Sequence, residues 1–269
     1  MRFVFRLLAL GLALAVPRLA AHPETAEARA ELDRLIAEFP RESELYLRRA
    51  ALRLAHAEWS EAEADLRRAE TLTPDSPRVA TQLGQLDLGR GQLTAASRHF
   101  DAALARAPGD AEALILRART RALLGDIPGA HADYSAALRQ LEAPSPDLFL
   151  ARAALPIAPA LALRGLDEGI AQLGPAGPLL ERALALELRL GRTDAALARL
   201  DVLTASSGRQ ELWLKRRGDI LAAAGRSTAA REAYVAALVA VAALPPWLRD
   251  SPETAHLATE LARLAATSS

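Results

Sequence analysis

Apolar and polar positions along the chain fall into long runs, and the runs repeat. The segment PGDAEALILRARTRALLGD, from Pro108 to Asp126, shows one period: a proline, an aspartate, an Ala/Leu/Arg run, then Gly-Asp. Ala, Leu and Arg are good helix formers, so each run predicts a helix. Pro40, Pro74 and Pro108 are spaced by 34 residues. Counting the first full repeat from Ser43, small residues stand at position 8 (Ala50), position 20 (Ala62) and position 27 (Ala69), and a large one at position 24 (Leu66). The next two repeats place Gly84, Ala96, Ala103 and Phe100, then Ala118, Ala130, Ala137 and Tyr134, at the same positions. Position 20 is alanine in all six repeats: Ala62, Ala96, Ala130, Ala162, Ala196 and Ala230. Position 24 is Leu66, Phe100, Tyr134, Leu166, Leu200 and Tyr234. Small residues let two antiparallel helices approach closely, and the large one fills the gap beside them.

The punctuation agrees with two helices per repeat. Gly91, Gly125, Gly191 and Gly225 fall where a first helix should stop in a left-handed conformation. Ser76 before Pro77 reads as an N-cap and first helical residue. Ser60 with Glu63 reads as a capping box opening a second helix. In the fourth repeat the rhythm slips: Ala153 and Ala162 are nine residues apart, against twelve from Ala50 to Ala62. Pro156 should cut the first helix short there, and Pro159 can start the second. Gly174 to Pro178, GPAGP, then reads as a linker. Residues 252–266 predict a last helix over the sixth repeat, with Trp247 packed beneath it.

This pattern resembles the tetratricopeptide repeat family, whose 34-residue unit has small residues near positions 8 and 20, a large residue at 24 and a closing proline. The closing proline is missing from the later repeats. The resemblance implies an all-α fold: a right-handed solenoid of about six helix-turn-helix repeats with terminal capping helices. The expected organisation is a signal peptide (1–21), an N-terminal half-repeat helix (22–41), repeats one to three (42–143), and an irregular fourth repeat with its linker (144–178). Repeats five and six (179–243) and a C-terminal capping helix and tail (244–269) complete it.

Composition narrows the function classes. Lys plus Arg and Asp plus Glu are 33 each, so there is no basic excess of the kind nucleic-acid binders carry. The absence of cysteine removes disulfides, thiolate chemistry and lipid attachment through an N-terminal Cys. Arg2, Arg6 and the apolar stretch Leu7 to Val16, followed by small residues to Ala21, have the layout of a cleaved secretory signal. That stretch is short for a membrane span. With the Ala/Leu/Arg bias of GC-rich coding, the expected location is periplasmic or secreted, with no stable membrane span after cleavage.

Candidate chemistry is thin. His22, His56, His99, His131 and His256 lack the spacing of a helical metal site, and His22 as a new N-terminus would still need a further ligand. No nucleophile elbow, phosphate loop or dinucleotide fingerprint occurs, and the adjacent Asp167 and Glu168 point apart on a helix. No catalytic residue, cofactor or metal is therefore expected. One charge pattern does stand out. Arg at position 7 (Arg49, Arg117) accompanies Asp at position 23 (Asp65, Asp133), and both change together in repeat two to Leu83 and His99. Arg49 should pair with Asp65, and Arg117 with Asp133.

The resemblance implies a non-catalytic scaffold that binds a protein or peptide partner, here in the cell envelope, through the groove lined by first helices. The carboxylate clamp of Lys, Arg and Asn found in some relatives is not carried over, because the chain has no Asn and a single Lys, Lys215. Groove positions 2, 5, 9 and 12 give Glu44, Leu47, Ala51 and Leu54, then Arg78, Thr81, Gln85 and Leu88, then Glu112, Ile115, Arg119 and Ala122. The candidate partner-binding residues are Leu47, Thr81, Gln85, Ile115 and Arg119. The alternatives are an enzyme or metal-binding protein supported on the same solenoid, and a binder of envelope glycan.

Overall fold

A computed structural model describes residues 23–205 and 208–267, and every regular element among them is an α-helix. The chain divides into two compact units between Gln140 and Leu141. The N-terminal unit contains α1 (Pro23–Glu38), α2 (Ser43–Ala55), α3 (Trp59–Leu72), α4 (Pro77–Gly89), α5 (Leu93–Arg106), α6 (Ala111–Leu124) and α7 (Ile127–Gln140). The C-terminal unit contains α8 (Pro146–Ala154), α9 (Pro159–Leu173), α10 (Gly177–Arg189), α11 (Thr193–Ala205), α12 (Gln210–Ala223), α13 (Ser227–Ala242), α14 (Pro246–Arg249) and α15 (Pro252–Thr267). Each repeat is a helical hairpin: α2/α3, α4/α5 and α6/α7 in one unit, α8/α9, α10/α11 and α12/α13 in the other. Helix α1 packs on α2, and α15 packs on α13. Each unit is thus a stretch of helical-repeat solenoid, in which one hairpin buries its apolar face against the next.

The small-residue positions are where the helices touch. Ala62, Ala96, Ala130, Ala196 and Ala230 are fully buried, as are Leu66 and Phe100 at position 24. Three hairpins close further than an alanine would allow, among them α8/α9, where a Cβ on Gly169 would lie 2.8 Å from the Phe149 ring. A Cβ on Gly84 would lie 2.5 Å from the Phe100 ring, and one on Gly218 would lie 2.3 Å from the Tyr234 ring. The turns between paired helices use position 15 in the left-handed region: Gly91 (φ 75°), Gly125 (φ 84°), Gly191 (φ 71°) and Gly225 (φ 72°). Repeat one holds Ala57 there at φ 57°, a conformation that disfavours any side chain.

Several local expectations are met. Ser76 caps α4 by accepting from the Val79 amide, with Pro77 as first helical residue. In repeat four, α8 ends at Ala154 and Pro159 opens α9, with both Ala153 and Ala162 buried. The shortened repeat lies wholly within the C-terminal unit, and its helices pack on each other and on α10. Gly177 and Pro178 already belong to α10, so the linker shrinks to Gly174–Ala176.

Two expectations are corrected. Helix α3 opens at Trp59, so Ser60 lies inside its first turn and cannot cap it; Glu63 pairs with Arg90 and Arg67 instead. Trp247 is 77% exposed, held outward on the short α14, while α15 buries Thr254, Leu257 and Leu261. The signal segment 1–21 and His22 lie outside the described residues.

Candidate partner-binding surfaces

The first surface is the face of α2, α4 and α6. The structure places the candidate residues unequally. Leu47 and Thr81 are each 3% exposed: Leu47 belongs to the apolar core, and the Thr81 hydroxyl donates back to the Pro77 carbonyl. They serve packing and offer no open surface, which corrects their assignment to the groove. Gln85 and Ile115 are half-buried and Arg119 is exposed. The polar groups here are largely spent on one another. Gln85 Nε2 donates to Glu112 at 2.9 Å, and Arg48 and Arg78 both donate to Glu44. Burial alone would push the Glu44 carboxyl up, but those two hydrogen bonds hold it below its ordinary value. Arg119 lies against the Tyr134 hydroxyl; burial raises that phenol and the guanidinium partly offsets it. Position 9 plays the same part in repeat six, where Tyr234 donates to Asp219 at 3.0 Å. Burial, then the Asp219 carboxylate, push Tyr234 up to about 12.

The second feature is a ladder of charges at positions 7, 11 and 23. In repeat one Arg49 donates through Nε and Nη2 to Asp65, at 2.9 and 2.6 Å, and Arg53 adds a third bond to the same carboxylate. Repeat three copies this: Arg117 grips Asp133 at 2.9 and 2.7 Å, and Arg121 joins at 2.8 Å. The expected pairs are both present, and each is a fork of two parallel bonds. Each position-7 arginine also reaches back one repeat with Nη1, Arg49 to Asp33 and Arg117 to Asp101. Repeats two and five reverse the signs, with Asp87 facing His99 at 2.8 Å and Glu187 facing Arg199 at 3.2 Å. In repeat four the shortened hairpin brings Arg152 to the Gly165 carbonyl at 3.1 Å and to Glu168 at 2.6 Å.

Repeat six breaks the ladder. Arg217 stands at position 7, but position 11 is Leu221 and position 23 is Ala233. Arg217 keeps its backward contact through Nη1 to Asp201. A cavity of about 580 Å³ opens between α11, α12 and α13 where the missing side chains would lie. Leu197, Leu214, Leu221, Ala229, Ala233 and Ala236 form its floor, and Arg217, Arg226, Asp194, Asp201 and Glu232 its rim. A smaller hollow of about 430 Å³, lined by Thr228, Arg231 and Val235, adjoins it across Glu232 and Ala236. None of these residues is among the candidates taken from the first-helix face. The sequence signal, an arginine at position 7 with no carboxylate at position 23, is shared with repeat four, where the Gly165 carbonyl and Glu168 take up Arg152.

Among the described residues, no group of three or more His, Asp or Glu is placed to hold a metal ion. No helix among them is long and apolar enough to cross a membrane.

Stacked antiparallel hairpins, closed by small residues and stitched by charge from one repeat to the next, define a helical-repeat protein. The chain is a tetratricopeptide repeat protein: residues 81–147 match the family model described as tetratricopeptide repeat, and residues 181–247 match that described as tetratricopeptide repeat-like domain. Solved structures share the fold at low identity. A tetratricopeptide repeat protein from Parabacteroides merdae is 17% identical with a TM-score of 0.51, covering 91% of this chain and 93% of its own. PilW, a type IV pilus biogenesis factor, is 20% identical with a TM-score of 0.57, covering 71% of this chain and 91% of its own. YrrB, a tetratricopeptide repeat protein with an unusual peptide-binding site, is 16% identical with a TM-score of 0.50, covering 74% and 97%. A curated relative, protein adenylyltransferase fic-1 of Caenorhabditis briggsae, is 31% identical over 115 residues, which are 35% of this chain and 23% of the relative. The chain thus spans about a quarter of the length of that relative.

Proposed function

We propose that the protein is a non-catalytic scaffold that holds a protein or peptide partner in the cell envelope, as a periplasmic or secreted chain. The observation that carries this reading is the cavity of repeat six, an apolar floor with a charged rim on a hairpin stack. Such a surface takes up aliphatic side chains and orients them by charge. The peptide-binding site of YrrB and the pilus role of PilW support the same use of this fold. The envelope setting rests on the basic start and apolar stretch of residues 2–21.

The test is affinity capture of the tagged full chain from an envelope extract, followed by N-terminal sequencing of the exported form. The expected result is a protein recovered in stoichiometric amount and a chain that begins within a residue or two of His22. Recovery of glycan without protein, or a membrane-bound chain that retains Met1, would contradict this function or this location respectively.

A further inference from the structure

The repeats themselves show what the cavity of repeat six lacks. In repeats one and three the position-7 arginine spends Nη1 on the preceding repeat, and Nε with Nη2 on the carboxylate at position 23. Repeat four satisfies Arg152 with a backbone carbonyl and a glutamate. In repeat six, Arg217 makes the Nη1 contact with Asp201 and stops there; among the described residues its Nε and Nη2 meet no acceptor. Its side chain is 34% exposed, about twice the 16% of Arg117. The fork that elsewhere grips a carboxylate is therefore open, on the cavity that Ala233 also lines.

We propose that this cavity receives the side-chain carboxylate of an Asp or Glu carried by a protein partner, with aliphatic residues on either side of it. The proposal rests on the scaffold reading above and names the chemistry of the partner. Charge complementarity at the fork selects the acid, since a planar guanidinium with two parallel free donors matches a carboxylate. The floor selects the neighbours: Leu197, Leu214, Leu221 and Ala229 offer only apolar contact. The adjoining hollow adds Val235 and Ala236 to that apolar surface, beside Thr228, Arg231 and Glu232. Of the other rim charges, Asp194 is engaged by Arg226 and Asp201 by Arg217, and Glu232 is exposed.

The repeat comparison also supplies the test. Ala233→Asp restores the carboxylate from within and should close the cavity to any outside acid. The full chain is titrated, by fluorescence anisotropy, against three fluorescein-labelled peptide pools, each randomised among small and aliphatic residues around a fixed central Glu, Gln or Lys. The Glu pool should bind roughly tenfold more tightly than the Gln pool, as for a desolvated charge pair. Ala233→Asp should abolish binding of the Glu pool with a melting temperature unchanged or raised. Arg217→Gln should bring the Glu and Gln pools together. Equal binding of the Glu and Gln pools by the natural chain, a preference for Lys, or undiminished binding by a folded Ala233→Asp chain would each overturn the proposal. The two readings fail separately. An envelope partner that stays bound to the Ala233→Asp chain overturns the cavity as its site and leaves the scaffold standing. Selection of the Glu pool by a chain that captures no envelope protein overturns the scaffold and leaves the carboxylate site.

Discussion

In repeat three, Arg117 lies between two aspartates, Asp101 behind it and Asp133 across the hairpin, and Arg121 shares the second. In repeat six, Arg217 has Asp201 behind it and, across the hairpin, the methyl of Ala233. The two hairpins otherwise follow one packing scheme, with alanine at position 20 and a tyrosine at position 24 in both. A globular core would close over such a loss. A repeat stack contacts only its nearest neighbours, so removing two charged side chains leaves an open surface cavity. Charge that stabilises one hairpin therefore becomes binding capacity in another.

The largest effect is expected from breaking the intact cluster. Asp133 is buried and accepts three bonds, so Asp133→Ala removes all three from Arg117 and Arg121, which keep only Asp101 and Asp126, and should cost about 3 kcal/mol. Urea denaturation measures it; a loss close to zero would mean that the cluster contributes nothing to repeat three. Next is Gly218→Ala, which drives a methyl into the Tyr234 ring and should cost about 2 kcal/mol. Without that loss, repeat six would be loosely packed, and its cavity a symptom of slack.

A smaller effect concerns the turns. Ala57 occupies the left-handed position that glycine holds in four other repeats, so Ala57→Gly should raise stability by up to about 1 kcal/mol. The reverse change, Gly125→Ala, should lower it by about the same amount. Thermal melts of the two variants moving in the same direction would refute a shared turn geometry.

Much of this architecture was legible in the residues. The alanines at position 20, the glycines at position 15 and the Pro156/Pro159 break each act through local sterics, and each appears where the 34-residue register puts it. The Arg49–Asp65 and Arg117–Asp133 pairs were legible because both members change together in repeat two. The binding face was less so. Leu47 and Thr81 were placed on the groove by repeat position alone, and the closeness with which α2, α3 and α4 pack decides that both are buried. Ser60 looked like a cap because a capping box is a sequence pattern, while the left-handed Ala57 starts the helix too early for it. The cavity of repeat six arises from side chains that are absent. It emerges only when Ala233 and Leu221 are compared with Asp133 and Arg121 at the same positions.

The claim that Ala233 marks a vacated carboxylate position is tested most directly by a double-mutant cycle in urea, comparing the natural chain, Ala233→Asp, Arg217→Gln and the double variant. If the position is equivalent to Asp133, the new aspartate and Arg217 should couple by about 1 kcal/mol in the stabilising direction. A coupling of zero, with all four chains folded, would mean that the Arg217 fork does not face position 23, and that repeat six is not a repeat three with its carboxylate removed.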